Sequence, residues 1–336
     1  MSLRVAPDLR SDDRGTLAQA ALPVAARATK REKILVIKLG ALGDFVQAMG
    51  PAAAIRAHHK GAAITLLTTA PFVELARAAP YFDEVWIDER PRALNIGGLW
   101  RLRARLRNGR FTRVYDLQTS ERSSWYFHLM APWRRPEWSG IASGCSHPHA
   151  APDRDFMHTL DRQADQLRVA GIDRVPAPDL SWAATDLARF QLPARFLLLV
   201  PGGSAHRPEK RWPAGRYAQL ANIACRMGLT PIVLGGAEEH QVAREIVRNC
   251  PAAGNLVGAT SLRDIAALGR RCTYAIGNDT GPMHLLVAAG SPATVLYSGA
   301  SDPDLTRPVG RAVTVLRRGN IAALSVDEVA ATLRFG

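Results

Sequence analysis

This sequence has few cysteines and no long hydrophobic run, and each of these features excludes certain classes of protein. Four of the 336 residues are cysteine and no two form a CxxC pair, so neither a disulfide framework nor a structural zinc site is expected. No run approaches the roughly 18 apolar residues of a transmembrane helix. The first residues, MSLRVAPDLRSDDRG, lack the hydrophobic core of a signal peptide. These features predict a cytoplasmic protein.

Binding motifs that depend on a fixed glycine spacing are missing as well. The glycines after the first predicted strand do not form GxGxxG, and no acid stands at the expected end of the second strand, which disfavours a nicotinamide enzyme. The GxxxxGK[ST] loop of nucleoside triphosphatases is also absent.

Composition and charge indicate a folded protein with an anionic partner. Apolar residues make up 47% of the chain and charged residues 22%, and the length suits two domains. Lysine and arginine number 43 against 30 acids, a formal net charge of +13. Such an excess predicts a nucleic acid, a phosphate-bearing ligand or an anionic membrane as partner. We do not expect nucleic acid, because no basic platform studded with aromatics occurs.

Short apolar runs alternate with helix-like segments from Lys33 onward. The runs are continuous and β-branched, as expected for strands covered on both faces of a parallel sheet. We predict strands at 34–37, 63–67, 85–87, 113–117, 196–200, 231–234, 274–276, 293–297 and 312–316. This α/β alternation predicts two doubly wound units with a ligand cleft between them, at the carboxyl ends of the strands.

A stretch rich in proline and alanine interrupts the alternation between about residues 175 and 194 and indicates an interdomain connection. We therefore predict a flexible leader over residues 1–30, a first domain over 31–178, a linker over 179–194 and a second domain over 195–336. The last helix is expected to pack back on the first domain.

The turn after the first strand, IKLGALGDF over residues 37–45, carries the first candidate site. Its two glycines allow a tight turn and a close approach of the backbone to a ligand. Asp44 would stand beside the N-terminus of the following helix and face the cleft. The pattern alone favours a helix cap for Asp44, with a functional carboxylate as the alternative.

The second candidate site is the basic loop VPGGSAHRPEKRWP over residues 200–213, which follows a buried strand. Ser204, Lys210 and free backbone N–H groups could form a phosphate cradle. The alternative is an exposed, solvated loop.

The third candidate site is IGNDTGPMHL over residues 276–285. Proline suits a first helical turn, and the N–H groups of Thr280 and Gly281 would then point outward, as a pyrophosphate requires. Asp279 and His284 share this helix end.

Two acids after Gly235-Gly236 make a fourth candidate site. A carboxylate at a strand end is the usual partner of ribose hydroxyls, and acids are also ordinary in a first helical turn. The sequence does not show which of the two acids, Glu238 or Glu239, would contact the ribose.

Taken in order, these motifs resemble the lipopolysaccharide heptosyltransferase family, glycosyltransferase family 9, from about Lys33 to the C-terminus. They are Gly43-Asp44, Lys210-Arg211-Trp212-Pro213, Gly235-Gly236 with the acids that follow, and Asn278 to His284. The resemblance implies the GT-B architecture, in which two Rossmann-like domains face a central cleft. It implies inverting transfer of heptose from ADP-heptose to the lipopolysaccharide inner core, without a metal or a cofactor besides the donor.

The resemblance also assigns roles by position. It makes Asp44 the general base and Lys210 the cation that holds the donor phosphates, and we count both as catalytic. The expected donor-binding residues are Ser204, Lys210, Glu238, Glu239, Asp279, Thr280, Gly281 and His284, and the expected acceptor-binding residues are Gly43, Gln118 and Arg122.

The stretch WRLRARLRNGRFTR over residues 100–113 contains six arginines and no acid. On a helix it would suit anionic lipid head groups, acceptor phosphates or sugar carboxylates, and a solvated basic face is the alternative. The implied partners are a nucleotide-sugar donor, an anionic glycolipid or glycan acceptor, and the inner face of the inner membrane. Two other functions stay open: a GT-B enzyme for another nucleotide sugar, either a transferase or an epimerase, and a non-catalytic sugar-nucleotide binder.

Overall fold

The computed structural model describes residues 31–92, 94–130, 135–203 and 206–333. The leader predicted for residues 1–30 lies outside the described residues. The strands are β1 Lys33–Ile37, β2 Ala63–Thr68, β3 Glu84–Ile87, β4 Arg113–Asp116, β5 Glu137–Gly140, β6 His147–Pro148, β7 Phe196–Val200, β8 Thr230–Val233, β9 Gly254–Asn255, β10 Tyr274–Asn278, β11 Ala293–Tyr297 and β12 Val313–Arg317. The α-helices are α1 Leu42–Gln47, α2 Met49–His58, α3 Val73–Ala78, α4 Ile96–Asn108, α5 Glu121–Leu129, α6 Thr159–Val169, α7 Ala214–Arg226, α8 His240–Asn249, α9 Leu262–Arg271, α10 Gly281–Ala288, α11 Pro303–Thr306 and α12 Val326–Ala330.

The strands form two parallel sheets of the same topology. The first sheet has the order β3-β2-β1-β4-β5-β6, and the second has the order β12-β11-β10-β7-β8-β9. In each sheet the chain starts at a central strand, moves outward to one edge, and then crosses to the other side. The crossing leaves a crevice outside the carboxyl ends of the two central strands, which are β1 and β4 in the first half and β7 and β10 in the second.

All nine predicted strands are present, and three short strands were not predicted. Strand β5 is polar and lies towards one edge of the first sheet, whereas β6 and β9 have two residues each. Such strands have neither a continuous apolar run nor an alternation of apolar and polar residues, so the sequence pattern does not predict them. The central strands, in contrast, are buried along nearly their whole length, as in FLLLV of β7, because helices cover both faces of the sheet.

Apolar packing is continuous between the two halves. One buried cluster contains Ile34 and Phe45 of the first half together with Phe196, Met283 and Val295 of the second. Helices α1 and α10 pack directly on one another across the division. Each half also has a smaller core on the outer face of its sheet. The carboxyl ends of both sheets are therefore held against each other by buried surface.

Two segments show how the chain passes between the halves and where it ends. In the stretch predicted as a linker, Leu180 and Ala183 are fully buried, and the Leu180 N–H donates to the carbonyl of Ala288 at 3.0 Å. Helix α12 packs against α7 of the second half, and Val329 lies in that half's core. The expectation that the last helix packs back on the first domain is therefore wrong for the described residues.

None of the helices that the structure describes combines the length and the apolar character needed to cross a bilayer.

Candidate functional site

A pocket of about 370 Å³ opens where the carboxyl ends of the two sheets meet. Its walls come from both halves, because the turn after β1 faces the turns after β7, β10 and β11. The lining residues are Ala41, Gly43, Asp44, Gln47, Arg207, Lys210, Asp279, Thr280, Gly281, His284, Ala300, Ser301, Asp302, Leu305 and Thr306. Seven predicted site residues therefore meet in one pocket, although they are up to 241 positions apart in the chain (284 − 43).

Lys210 and Asp279 form an ion pair in the wall of this pocket. The Lys210 Nζ lies 3.0 Å from Oδ2 of Asp279, and the two side chains are only 15% and 12% exposed. Lys210 ends a short 3₁₀ turn after β7, and Asp279 follows β10. Because these strands are neighbours at the centre of the second sheet, their carboxyl ends bring the two charges together.

The fully buried Asn278 fixes the loop that carries Lys210. Its side-chain amide donates to the carbonyls of Pro201 at 2.8 Å and Gly202 at 3.1 Å. Its Oδ1 accepts from the backbone N–H of Trp212 at 3.1 Å and from the Tyr217 hydroxyl at 2.9 Å. These bonds anchor both ends of the basic loop to β10, so the loop has a defined position at the pocket.

Asp44 does not cap its helix, so the interpretation that the pattern favoured is wrong. The N-cap of α1 is Ala41, and no side chain makes a capping hydrogen bond there. Asp44 lies in the first helical turn, is half-buried and lines the pocket. The carboxylate is therefore available to a ligand in the cleft.

Gly43 and Gly281 allow the two halves to approach closely beside Asp44. A Cβ on Gly43 would lie 3.0 Å from the His284 ring, and a Cβ on Gly281 would lie 2.6 Å from Cβ of Leu42. Any side chain at either position would push α1 and α10 apart. These two glycines therefore determine how near Asp44 comes to the second half.

His284 is buried in the first turns of α10, and its Nδ1 has no hydrogen-bond partner among the described residues. Burial lowers the pKa of the imidazole to about 4, against the raising effect of the Asp279 and Asp44 carboxylates. The ring is therefore neutral at neutral pH. The imidazole therefore lines the pocket without adding charge to it.

A second pocket of about 300 Å³ lies beside the first and contains both candidate acids of the fourth site. The Glu239 side chain packs against Gly202 in the turn after β7: a Cβ on Gly202 would lie 2.9 Å from the Glu239 carboxyl carbon. Its Oε2 accepts from the Gly236 N–H at 2.8 Å. Glu238 is exposed and makes no such bond among the described residues. Only Glu239 thus has a fixed carboxylate.

Of the residues predicted on the acceptor side, Gly43 lines the pocket, whereas Gln118 and Arg122 follow the central strand β4. The Gln118 Oε1 accepts from the Leu39 N–H at 2.8 Å, which ties the turn after β4 to the turn that leads to Asp44. Arg122 donates to the carbonyl of Pro91 at 3.5 Å. Neither residue lines the 370 Å³ pocket. Ser204 lies outside the described residues.

The segment after β11 lines the pocket and was missed by sequence reasoning. Ser301, Asp302 and Thr306 come from this segment, and Arg207 comes from the basic loop. The signal was present, because Ser298-Gly299-Ala300-Ser301 follows a buried strand with the small residues that marked the other sites.

Within the described ranges, no three histidine, cysteine or acidic side chains are grouped as a metal ion would require.

Comparisons with known proteins match this chain to one family. The sequence profile of glycosyltransferase family 9 (heptosyltransferase) matches residues 99–330. Lipopolysaccharide heptosyltransferase 2 of Salmonella typhimurium is 27% identical over 307 residues, which cover 85% of this chain and 88% of that protein.

Two solved structures share the fold. A family 9 glycosyl transferase from Veillonella parvula aligns with a TM-score of 0.78, and ADP-heptose lipopolysaccharide heptosyltransferase II from Escherichia coli aligns with a TM-score of 0.74. Both are 23% identical to this chain, and each alignment covers 90% of this chain and 97% of the other. The predicted GT-B fold is confirmed.

The low pKa of His284 predicts a specific loss of stability in acid. The unfolded chain binds this proton near pH 6.5 but the folded protein only near pH 4. Keeping the buried imidazole neutral therefore costs no stability above pH 6.5. As the pH drops towards 4, the free energy of unfolding falls by about 3 kcal/mol in all. Urea unfolding at pH 7 and pH 4.5 should show a smaller loss of stability for His284→Gln than for the wild type. Equal losses would contradict a buried, neutral imidazole.

Proposed function

The chain belongs to glycosyltransferase family 9, the heptosyltransferases, and from this membership we propose that its cleft transfers heptose from ADP-heptose to a hydroxyl of a lipopolysaccharide inner-core acceptor. One observation carries the proposal: Asp44 of the first half and the Lys210–Asp279 pair of the second half line the same pocket. The relatives named above supply the sugar and the acceptor class.

The proposed reaction is a single displacement with inversion. The Asp44 carboxylate takes the proton of an acceptor hydroxyl while that oxygen forms a bond to the anomeric carbon. The bond between the anomeric carbon and the β-phosphate oxygen breaks on the opposite face of the sugar, and ADP leaves with the electron pair. Such general base catalysis typically contributes about 10²–10⁴-fold to the rate.

Charge on the leaving ADP is stabilised from the second half. Lys210 is held by Asp279 at the pocket wall, where its ammonium can bind the diphosphate. At the start of α10 the backbone N–H groups of Thr280 and Gly281 have no acceptor within the helix, and Thr280, its N-cap, makes no side-chain capping bond. His284 is neutral and adds no charge of its own. Donors fixed before the reaction stabilise the transition state without reorganisation.

The nucleoside of the donor is proposed to occupy the second pocket, with its ribose on Glu239. The carboxylate of Glu239 is held in place by the Gly236 N–H and by its contact with Gly202. Glu238 is exposed on the same turn and has no comparable support. A fixed carboxylate binds ribose hydroxyls without first losing side-chain entropy, which favours Glu239.

The acceptor is proposed to enter along the first half, past Gly43, Gln118 and Arg122. Gln118 fixes the turn before Asp44, and Arg122 presents a cation to the anionic groups of the acceptor.

A membrane contact for this side of the protein is proposed on helix α4 and the loop before it. Leu94, Ile96 and Trp100 are 95%, 68% and 65% exposed, whereas Leu102 and Leu106 face the core. Together with the exposed arginines of α4, these apolar side chains fit an anionic bilayer surface. Arg122 contacts Pro91 in the loop before α4, so the contact borders the proposed acceptor path.

The contact is proposed on the cytoplasmic face of the inner membrane. All four cysteines are free thiols, as is usual for proteins of a reducing compartment.

Replacing the proposed base tests the reaction. We expect Asp44→Asn to lower kcat by about 10²–10⁴-fold because no group then accepts the hydroxyl proton. ADP should bind with unchanged affinity by calorimetry. The assay follows ADP release from ADP-heptose with two acceptors, lipopolysaccharide lacking heptose and lipopolysaccharide carrying one heptose.

The matched control is Asp302→Asn, which removes another carboxylate from the same pocket. Near-normal turnover of Asp44→Asn would reject the base. ADP release that needs no acceptor would instead favour the epimerase alternative, and binding of ADP-heptose without turnover would favour the sugar-nucleotide binder.

The two acids after Gly236 should differ in their effect on the donor. Because only Glu239 has a fixed carboxylate, Glu239→Gln should raise the KM for ADP-heptose about tenfold, the loss of one charge-assisted hydrogen bond. Glu238→Gln, one residue away, serves as control and should leave the KM near the wild-type value. The reverse order of effects would reassign the ribose contact.

Charge reversal on α4 tests the membrane contact. Wild-type protein should sediment with phosphatidylglycerol vesicles at low salt, and Arg101→Glu/Arg107→Glu should abolish this binding because those arginines would face the lipid phosphates. Trp100→Ser should weaken it. The control Arg226→Glu/Arg248→Glu makes the same change in net charge on other exposed helix positions. Equal loss in the control would show that only the overall charge matters.

A further inference from the structure

The segment after β11 belongs to the second half but ends against the first. Residues 298–307 follow β11 and contain α11, and we call them the α11 segment. Ala300, Leu305 and Thr306 of this segment line the cleft pocket. The segment is fixed near its start by the basic loop, because Arg207 donates to the Ala300 carbonyl at 3.3 Å. Its other end is held by side chains of the first half.

A buried glutamine of the first half binds the carbonyls at the end of α11. Gln47 is the last residue of α1 and is only 2% exposed. Its Nε2 donates to the carbonyls of Thr306 at 3.3 Å and Arg307 at 3.4 Å. The last carbonyls of a helix have no partner within the helix. The glutamine therefore supplies, from the first half, a donor that the end of α11 lacks.

Two residues at the start of α6 bind the same end of α11. The Thr159 hydroxyl donates to the Leu305 carbonyl at 3.2 Å. Nε2 of His158 lies 3.0 Å from the carbonyl oxygen of Arg307. Nδ1 of His158 accepts from the Leu160 N–H at 3.2 Å, so Nε2 carries the proton and donates. Helices α1 and α6 also pack on one another, so two elements of the first half hold the α11 segment at one place.

Gln47 differs from these two residues because it lies on the helix that carries Asp44. The two side chains are three positions apart and so occupy the same face of α1, and both line the pocket. The amino end of α1 meets the second half where Gly43 lies against the His284 ring. Helix α1 is therefore attached to the second half at both ends, by close packing at one and by the Gln47 amide at the other.

Packing alone does not require an amide at this position. A buried amide costs free energy unless it is hydrogen-bonded, and a methionine side chain would fill similar space without a polar group. Both acceptors of the Gln47 amide belong to the second half. The amide consequently fixes how the two halves meet beside the pocket, rather than the fold of the first half by itself.

On the basis of the role proposed above for Asp44, we propose that Gln47 is a positioning residue. Its amide ties the helix of the base to the α11 segment, and this tie sets the distance between Asp44 and the donor bound by the second half. The rate of a displacement depends steeply on that distance, since a misplacement of about 1 Å can cost about 10²-fold. Thr159 and His158 keep the α11 segment against the first half, so that the carbonyls stay within reach of Gln47.

The experiment measures kcat for ADP release from ADP-heptose, with heptose-free lipopolysaccharide or its singly heptosylated form, whichever the wild type uses. Gln47→Met keeps the side-chain length and removes the N–H donor, so kcat should fall by about 10- to 100-fold. ADP affinity by calorimetry should stay unchanged, because Lys210 and the start of α10 remain in place. The control Gln163→Met makes the same replacement at a buried glutamine of α6 whose Oε1 has no hydrogen-bond partner among the described residues. It should leave kcat near the wild-type value.

A double-mutant cycle separates positioning from a general loss of structure. In Asp44→Asn the further change Gln47→Met should lower kcat by about twofold or less, because no base is left to position. An equal fall with and without Asp44, or an unchanged kcat in Gln47→Met, would overturn the proposal for Gln47. Gln47→Asn withdraws the amide by one methylene and repeats both measurements where Gln47→Met folds poorly. Full turnover of Asp44→Asn itself is a different result, which would overturn the proposed base and the role of Gln47 with it.

Discussion

Helices α1 and α10 come into direct contact through two glycines, and the pocket exists because of this contact. Gly43 lies against the His284 ring, and Gly281 lies against Leu42. Each half supplies only part of the chemistry: the first half carries Asp44, and the second carries Lys210 and the amino end of α10. Because no Cβ separates the helices, the base and the cation line one cavity of about 370 Å³.

The charges around this contact are arranged in opposed pairs. Lys210 pairs with Asp279 on the second half, and on the first half Lys38 and Asp116 are both buried at the ends of the neighbouring strands β1 and β4. His284, between them, is neutral because its burial outweighs the nearby carboxylates. A pocket arranged in this way can take up a diphosphate without leaving a large unbalanced charge buried in its empty state.

Sequence reasoning predicted the nine buried strands and the residues at their carboxyl ends, because continuous apolar runs and the glycines after them are local features. It placed Asp44, Lys210, Asp279 and His284 in one cleft, since strands of a doubly wound sheet end at a common edge. It failed at β6 and β9, which have no pattern to detect, and at α12, whose packing against α7 depends on contacts far apart in the chain.

Side-chain roles that depend on contacts between residues far apart in the chain could not be predicted from the local sequence pattern either. Aspartate before a helix is usually a cap, but the turn places Ala41 at the N-cap and Asp44 in the first turn, towards the pocket. Gln118 binds the Leu39 N–H from 79 positions away. Neither outcome follows from the residues on either side.

The two α/β units, their central strands and the family could be predicted from the sequence, because strands buried on both faces and ordered motifs leave their pattern in consecutive residues. Only the folded chain shows that Glu239 rather than Glu238 has a fixed carboxylate, and that Lys38 and Asp116 are buried. The physical reason is that hydrogen bonding and desolvation depend on which elements meet in space, and that meeting is set by the packing of the whole chain.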